Sequence, residues 1–199
     1  MDPEVAVARI IDDPGRARHL CIDADLTTAF NHGYPTEIIR PLLCHSDKRV
    51  AAIALDVLWE TTADSRPYIP ELMSFLSWDD DGPVVAAAQL IVRGAEHQSV
   101  VILKLLEHPS ARVRSAIMKL LTRVQRTQLS GFLESDAVRA SVPADHVEGL
   151  TVVASGQMAT DAEILTLIDS PSAVSRRYGW IAAKRLEHER PELLAKAEE

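Results

Sequence analysis

Seven histidines, two cysteines, three tryptophans and a run of three aspartates are the side chains of this 199-residue chain with the most chemical reach. His45 and His108 stand at equivalent places, two residues after Leu43 and Leu106, so a repeated structure would align them along one edge. The corresponding places elsewhere hold Trp78, Ser135 and Ser170, so no ring of metal ligands forms. Cys21 and Cys44 sit among apolar residues in stretches that read as helical, and two thiols make no metal framework; they read as reduced core thiols. There is no Gly-x-Ser-x-Gly, no cysteine with an evident histidine partner and no glycine-rich phosphate loop. Asp79, Asp80 and Asp81 are adjacent, which lacks the spaced ligands and distal glutamate of a calcium loop; the run reads as a helix-capping turn able to face a basic partner. The residues therefore assign no catalytic group, no metal and no cofactor.

What they do assign is a set of candidate contacts. Tryptophan and arginine are enriched at binding hot spots because they bury large areas and keep a polar handle. Trp59, Arg93, Lys119 and Trp180 fall off the apolar stripes of their segments, and Trp78 stands directly before the three aspartates. Trp59, Trp78, Asp79, Asp80, Asp81, Arg93, Lys119 and Trp180 are the expected partner-binding residues, with helix-gap filling as the alternative role of each tryptophan.

Those residues need a frame, and the chain supplies one by repetition. Leu43, Leu76, Leu106, Leu133 and Ile168 each follow an apolar residue and have an aliphatic one four places earlier, at intervals of 33, 30, 27 and 35 residues. After each comes a short polar turn, then a second stripe such as Val50, Ile53, Ala54, Val57 and Leu58, or Val113, Ala116, Ile117, Leu120 and Leu121. Residues three, four, seven and eight apart share one helical face, and the alternation of a strand is missing. The expected fold is all-α: a superhelix (solenoid) of about five helix pairs over residues 35–188, an N-terminal cap of helices at 3–12 and 14–30 closed by Gly33, and a tail at 189–199. Pro143 breaks the fourth unit and gives it a longer connection, and Arg177 occupies a place in the fifth that the pattern expects to be buried.

Charge narrows the class of partner. The chain carries −8, which opposes a dedicated nucleic-acid binder, although residues 102–140 hold seven basic side chains against three acidic ones. With no signal-peptide pattern and no transmembrane run, the expectation is a cytoplasmic protein that does not contact membrane.

The segments LLCHSDKRVAAIALDVL (42–58) and LLEHPSARVRSAIMKLL (105–121) resemble the short, bacterial-style HEAT repeats, in which a Leu-Leu pair, a polar turn and a Val-Arg dipeptide open the second helix. Val113-Arg114 matches that dipeptide, whereas the other units keep only the valine. The resemblance implies an architecture that many unrelated roles share. Since such arrays are usually binding surfaces, the expectation is a non-enzymatic scaffold that binds another protein; the acidic balance points to a partner with a basic surface, in one version an inhibitor or immunity protein masking a basic toxin. Two enzyme classes on similar scaffolds form alternatives. A HEAT-like di-iron hydroxylase would need several His-Glu dipeptides, and this chain has one, His188-Glu189. A HEAT-like glycosylase of alkylated DNA bases would draw on Trp59, Trp180, Asp56, Lys119 and Arg176. A third reading is a structural subunit of a larger assembly.

Overall fold

The computed structural model describes residues 1–94 and 99–199, and every regular element among them is helical. The chain divides into two units, Met1–Ala95 and Glu96–Glu199. No described helix is long and apolar enough to cross a membrane.

The first unit contains α1 (Pro3–Asp12), α2 (Pro14–His19), α3 (Ile22–Asn31), α4 (Arg40–Leu43), α5 (Lys48–Glu60), α6 (Ile69–Phe75) and α7 (Asp81–Gly94). α1 packs on α3, α3 on α5 and α5 on α7, while α4 and α6 each lie against the longer helix that follows them. The stripe of α5 is sealed along its length, with Val50, Ile53, Ala54, Val57 and Leu58 all buried. Two expectations fail at the N-terminus. The helix expected over 14–30 is broken at Leu20–Cys21, where Cys21 takes a left-handed conformation at φ 56° before α3 begins. Cys21 is therefore at a helix start and Cys44 at a helix end, and both thiols are exposed rather than in the core. Gly33 does close α3 as expected: it adopts φ 88°, and Gly33 and Tyr34 return their N–H groups to the carbonyls of Phe30 and Ala29.

The second unit contains α8 (Ser99–Lys104), extended by a 3-10 turn at Leu105–Glu107, then α9 (Ala111–Arg123), α10 (Arg126–Glu134), α11 (Asp136–Ser141), α12 (Ala144–Ser155), α13 (Asp161–Ile168), α14 (Ala173–Arg185) and α15 (Pro191–Ala197). Pro143 separates α11 from α12, as the sequence leads one to expect. α14 departs from nearest-neighbour stacking, because it packs on α9 as well as on α12, α13 and α15. Arginines fix that contact. Arg177 Nη1 donates to the Leu106 carbonyl at 2.6 Å, and Arg185 Nη1 donates to the carbonyls of Leu121, Thr122 and Val124 at 3.0, 3.2 and 2.9 Å. Carbonyls at a helix C-terminus lack partners within their own helix, so each guanidinium satisfies acceptors that would otherwise need water.

Of the repeated anchors, Leu43, Leu106 and Ile168 are buried as expected, while Leu76 and Leu133 are half-buried; the residues before them, Leu42, Phe75, Leu105, Phe132 and Leu167, and the aliphatic residues three before those are all buried. The fifth unit shares the cap of the third. Ser172 caps α14 as Ser110 caps α9, and four residues after each cap Arg176 and Arg114 clamp the two carbonyls of the preceding turn. The buried residues of α14 are Val174, Ser175, Tyr178, Gly179, Ile181, Ala182 and Ala183, and Arg177, at a place the pattern expects to be buried, is half-exposed at the edge of that face.

Two glycines allow α14 to approach its neighbours. A Cβ on Gly149 would lie 2.4 Å from the Tyr178 ring, and one on Gly179 would lie 2.8 Å from the main-chain nitrogen of Ile168. By contrast, Gly131 in α10 faces open space. Gly131→Ala should stabilise the chain by about 0.5–1 kcal/mol through helix propensity. Gly149→Ala should destabilise it by about 1–3 kcal/mol through overpacking against Tyr178. Chemical denaturation of the two variants checks both signs.

Candidate functional site

The histidines that invited a metal reading serve the turns. Asp47 N–H donates to His45 Nδ1 at 3.1 Å, Ser110 N–H to His108 Nδ1 at 3.2 Å, and Ser172 N–H to Ser170 Oγ at 3.2 Å. His45, His108 and Ser170 thus perform one local task, the acceptor that folds the turn before each second helix. His97 lies outside the described residues. Among the described residues, no three of His, Cys, Asp and Glu converge in a way that could hold a metal ion.

The expected contact residues fall into separate places. Trp59 is 49% exposed near the end of α5. Its indole N–H donates to Gln89 Oε1 at 2.6 Å, and Arg93 donates to the carbonyls of Thr61 and Trp59 at 3.0 and 3.3 Å. Trp59 and Arg93 are therefore neighbours, and the ring is held in one orientation. Trp78 is half-buried, with its ring 4.6 Å from that of Phe75 and Lys48 Nζ 5.1 Å from its centroid. Asp80 accepts the Gly82 N–H at 3.0 Å, the capping role expected of the aspartate run; Asp81 opens α7 and Asp79 is exposed. Trp78 and Asp80 line a groove of about 330 Å³ with Arg18 of α2, Lys48 and Arg49 of α5, and Pro83 of α7. Lys119 and Trp180 belong to the second unit, Lys119 exposed on α9 and Trp180 half-buried on α14.

Two of the residues that a glycosylase reading would use are engaged within the fold. Asp56 is ion-paired with Arg18, and Arg176 is bonded to the carbonyls of Ser170 and Pro171.

Electrostatics singles out the face of α5 that carries Trp59. Asp56, Trp59 and Glu60 stand at i, i+3 and i+4 and share that face. Burial pushes the Asp56 carboxyl above the ordinary aspartate range; Arg18 pulls it back, and the negative charges of Glu60 and Asp23 push it up again. Asp56 thus feels two further carboxylates besides its paired guanidinium. At the groove, Asp47 behaves in the opposite way: hydrogen bonds from the Arg49 side chain and main chain hold it down at about 2.

A second polar cluster, in the second unit, was missed in the sequence. His146 is fully buried on α12, where its Nε2 lies 2.8 Å from Glu107 Oε1 and its Nδ1 lies 3.0 Å from the Tyr178 hydroxyl. Burial first, then the charges of Asp145 and Glu107, push the Tyr178 phenol far above its ordinary range, so it stays a neutral donor. Tyr178 O–H then donates to Nδ1, and His146 Nε2–H donates to the Glu107 carboxylate. An acid–histidine–hydroxyl order is present, but Tyr178 is sealed from solvent, so the three residues clasp helices rather than meet a substrate. The signal was available: His146 precedes Gly149, Leu150, Val153 and Ala154 at the spacing where other units place a valine.

Two outcomes follow from this geometry. Tyr178→Phe leaves a buried imidazole nitrogen without its donor and should cost about 1–3 kcal/mol in unfolding free energy. Asp56 has a folded-state pKa above its unfolded value, so its ionised form is disfavoured in the fold; the stability it contributes when protonated is lost as pH rises through the folded pKa. Asp56→Asn should therefore raise Tm at neutral pH, with the gain fading as pH falls below the folded pKa, and a Tm series in pH reads the sign.

No family model, no curated protein and no solved structure matches this chain.

Proposed function

We propose that this protein is a non-enzymatic binding scaffold, a HEAT-type α-solenoid of about five helix pairs, whose first unit takes the basic surface of another protein. The observation that carries this reading is the exposed Trp59 of α5, its indole N–H bonded to Gln89, on the same helix face as Asp56 and Glu60, where Arg18 pairs with Asp56. A lysine or arginine from a partner supplies the missing positive charge. The Trp59 ring offers it apolar area and a cation–π face at little entropic cost, since Gln89 already fixes the indole. Residues 1–95 hold eight basic and fifteen acidic side chains, so the field of the whole unit steers a basic partner toward this face. Trp78 and Asp80 at the groove, with Asp79 and Asp81 next to them in sequence, extend the contact. An inhibitor or immunity protein that covers a basic toxin in the cytoplasm is the concrete form this takes.

Affinity capture from lysate of the producing cells, with the full chain as bait, tests the reading. The expected prey is a basic protein, lost as salt rises, and Trp59→Ala and Glu60→Gln should each weaken its binding about tenfold. A neutral or acidic prey, or undiminished binding by Trp59→Ala, would overturn it.

A further inference from the structure

The second unit carries a helix face that its own fold leaves unused. Arg112, Lys119 and Arg123 lie along α9 at spacings of seven and four residues. At 3.6 residues per turn they fall within roughly 40° of one another and span roughly 16 Å. All three are exposed, and among the described residues none makes a hydrogen bond or ion pair. Other arginines of the unit behave differently: Arg114, Arg139, Arg176, Arg177, Arg185 and Arg190 all donate to main-chain carbonyls. No acidic residue interrupts α9, and its buried line of Val113, Ile117 and Leu121 is directed away from the cations.

We propose that this cationic face of α9 docks on the acidic face of a second copy of the chain, where Asp56 and Glu60 flank Trp59 on α5 and Asp23 of α3 adds its charge near Asp56. The inference rests on the reading that this face takes a basic protein surface, and it names one such surface. Charge complementarity favours it, because residues 1–95 carry a net −7 whereas residues 99–199 hold thirteen basic and thirteen acidic side chains. Nucleic acid fits less well. A duplex reaches far beyond a stripe of roughly 16 Å and would bring its phosphates against the acidic remainder of the chain. The stripe also has no aromatic side chain between its cations on which bases could stack. A helix face of matching length meets only the cations. The contact joins two different faces rather than one face to itself, so a basic partner and a second copy compete for the same ground.

Sedimentation of the full chain tests this. Self-association should rise with concentration up to about 100 µM at low salt and vanish above about 0.5 M salt, where exposed charges are screened. Arg112→Glu with Lys119→Glu and Arg123→Glu should weaken it at least about tenfold, as should Asp23→Lys with Glu60→Lys, each keeping the parent helical circular dichroism. An equimolar mixture of the two variants should recover a dimer, because one keeps the cationic face and the other the acidic one. A monomeric parent chain, a mixture that stays monomeric, or a labelled DNA duplex that binds the α9 face more tightly than the chain binds itself would overturn the proposal. A monomeric parent that still captures a basic prey sinks this inference alone; a monomeric parent that captures none sinks the binding reading with it.

Discussion

The contact between aliphatic stripes on neighbouring helices is the constraint from which the rest of this structure follows. Its helices run from four to fourteen residues, and isolated helices of that length are marginal in water. Each therefore holds its shape only while Ile39, Leu72, Ile102, Leu129, Ile164 and their partners remain packed on the next element. Short helices also multiply helix ends, and every end exposes carbonyls without intrahelical partners. The chain answers with guanidinium groups. Arg93, Arg177, Arg185 and Arg190 each reach a carbonyl more than thirty residues away in sequence, so the same side chains that satisfy helix ends also tie successive elements together.

That use of arginine gives meaning to the charged groups that are left over. Where cations serve the fold they are engaged with carbonyls, as at Arg114 and Arg176, and are not available to a partner. Asp56 is the converse case. It is held in a partly buried place near other carboxylates, where its ionised form is disfavoured, and its ion pair with Arg18 ties α2 to α5.

Much of this was legible in the sequence. The aliphatic periodicity marked the helix pairs, Pro143 marked the break between α11 and α12, Gly33 marked the end of α3, and Trp59 and Arg93 were singled out as surface candidates. The misreadings share a cause. The pattern placed Arg177 in the core, yet its guanidinium reaches the Leu106 carbonyl and the residue is half-exposed, a contact between distant segments that local periodicity does not reveal. Cys21 lay in a continuous helical pattern, but the chain turns there through a left-handed residue that local periodicity does not reveal.

The sequence by itself determined the all-helical character, the pairing of short helices and the acidic balance of residues 1–95, because apolar spacing, turn residues and charge are local properties of the chain. Only the tertiary structure decided that α14 reaches back to α9, that His146 sits sealed between Glu107 and Tyr178, and that Asp56 gathers Arg18, Asp23 and Glu60 around it. The physical reason is distance along the chain. Each of those groupings joins residues from different helices, where burial and neighbouring charge, rather than residue type, decide what a side chain does.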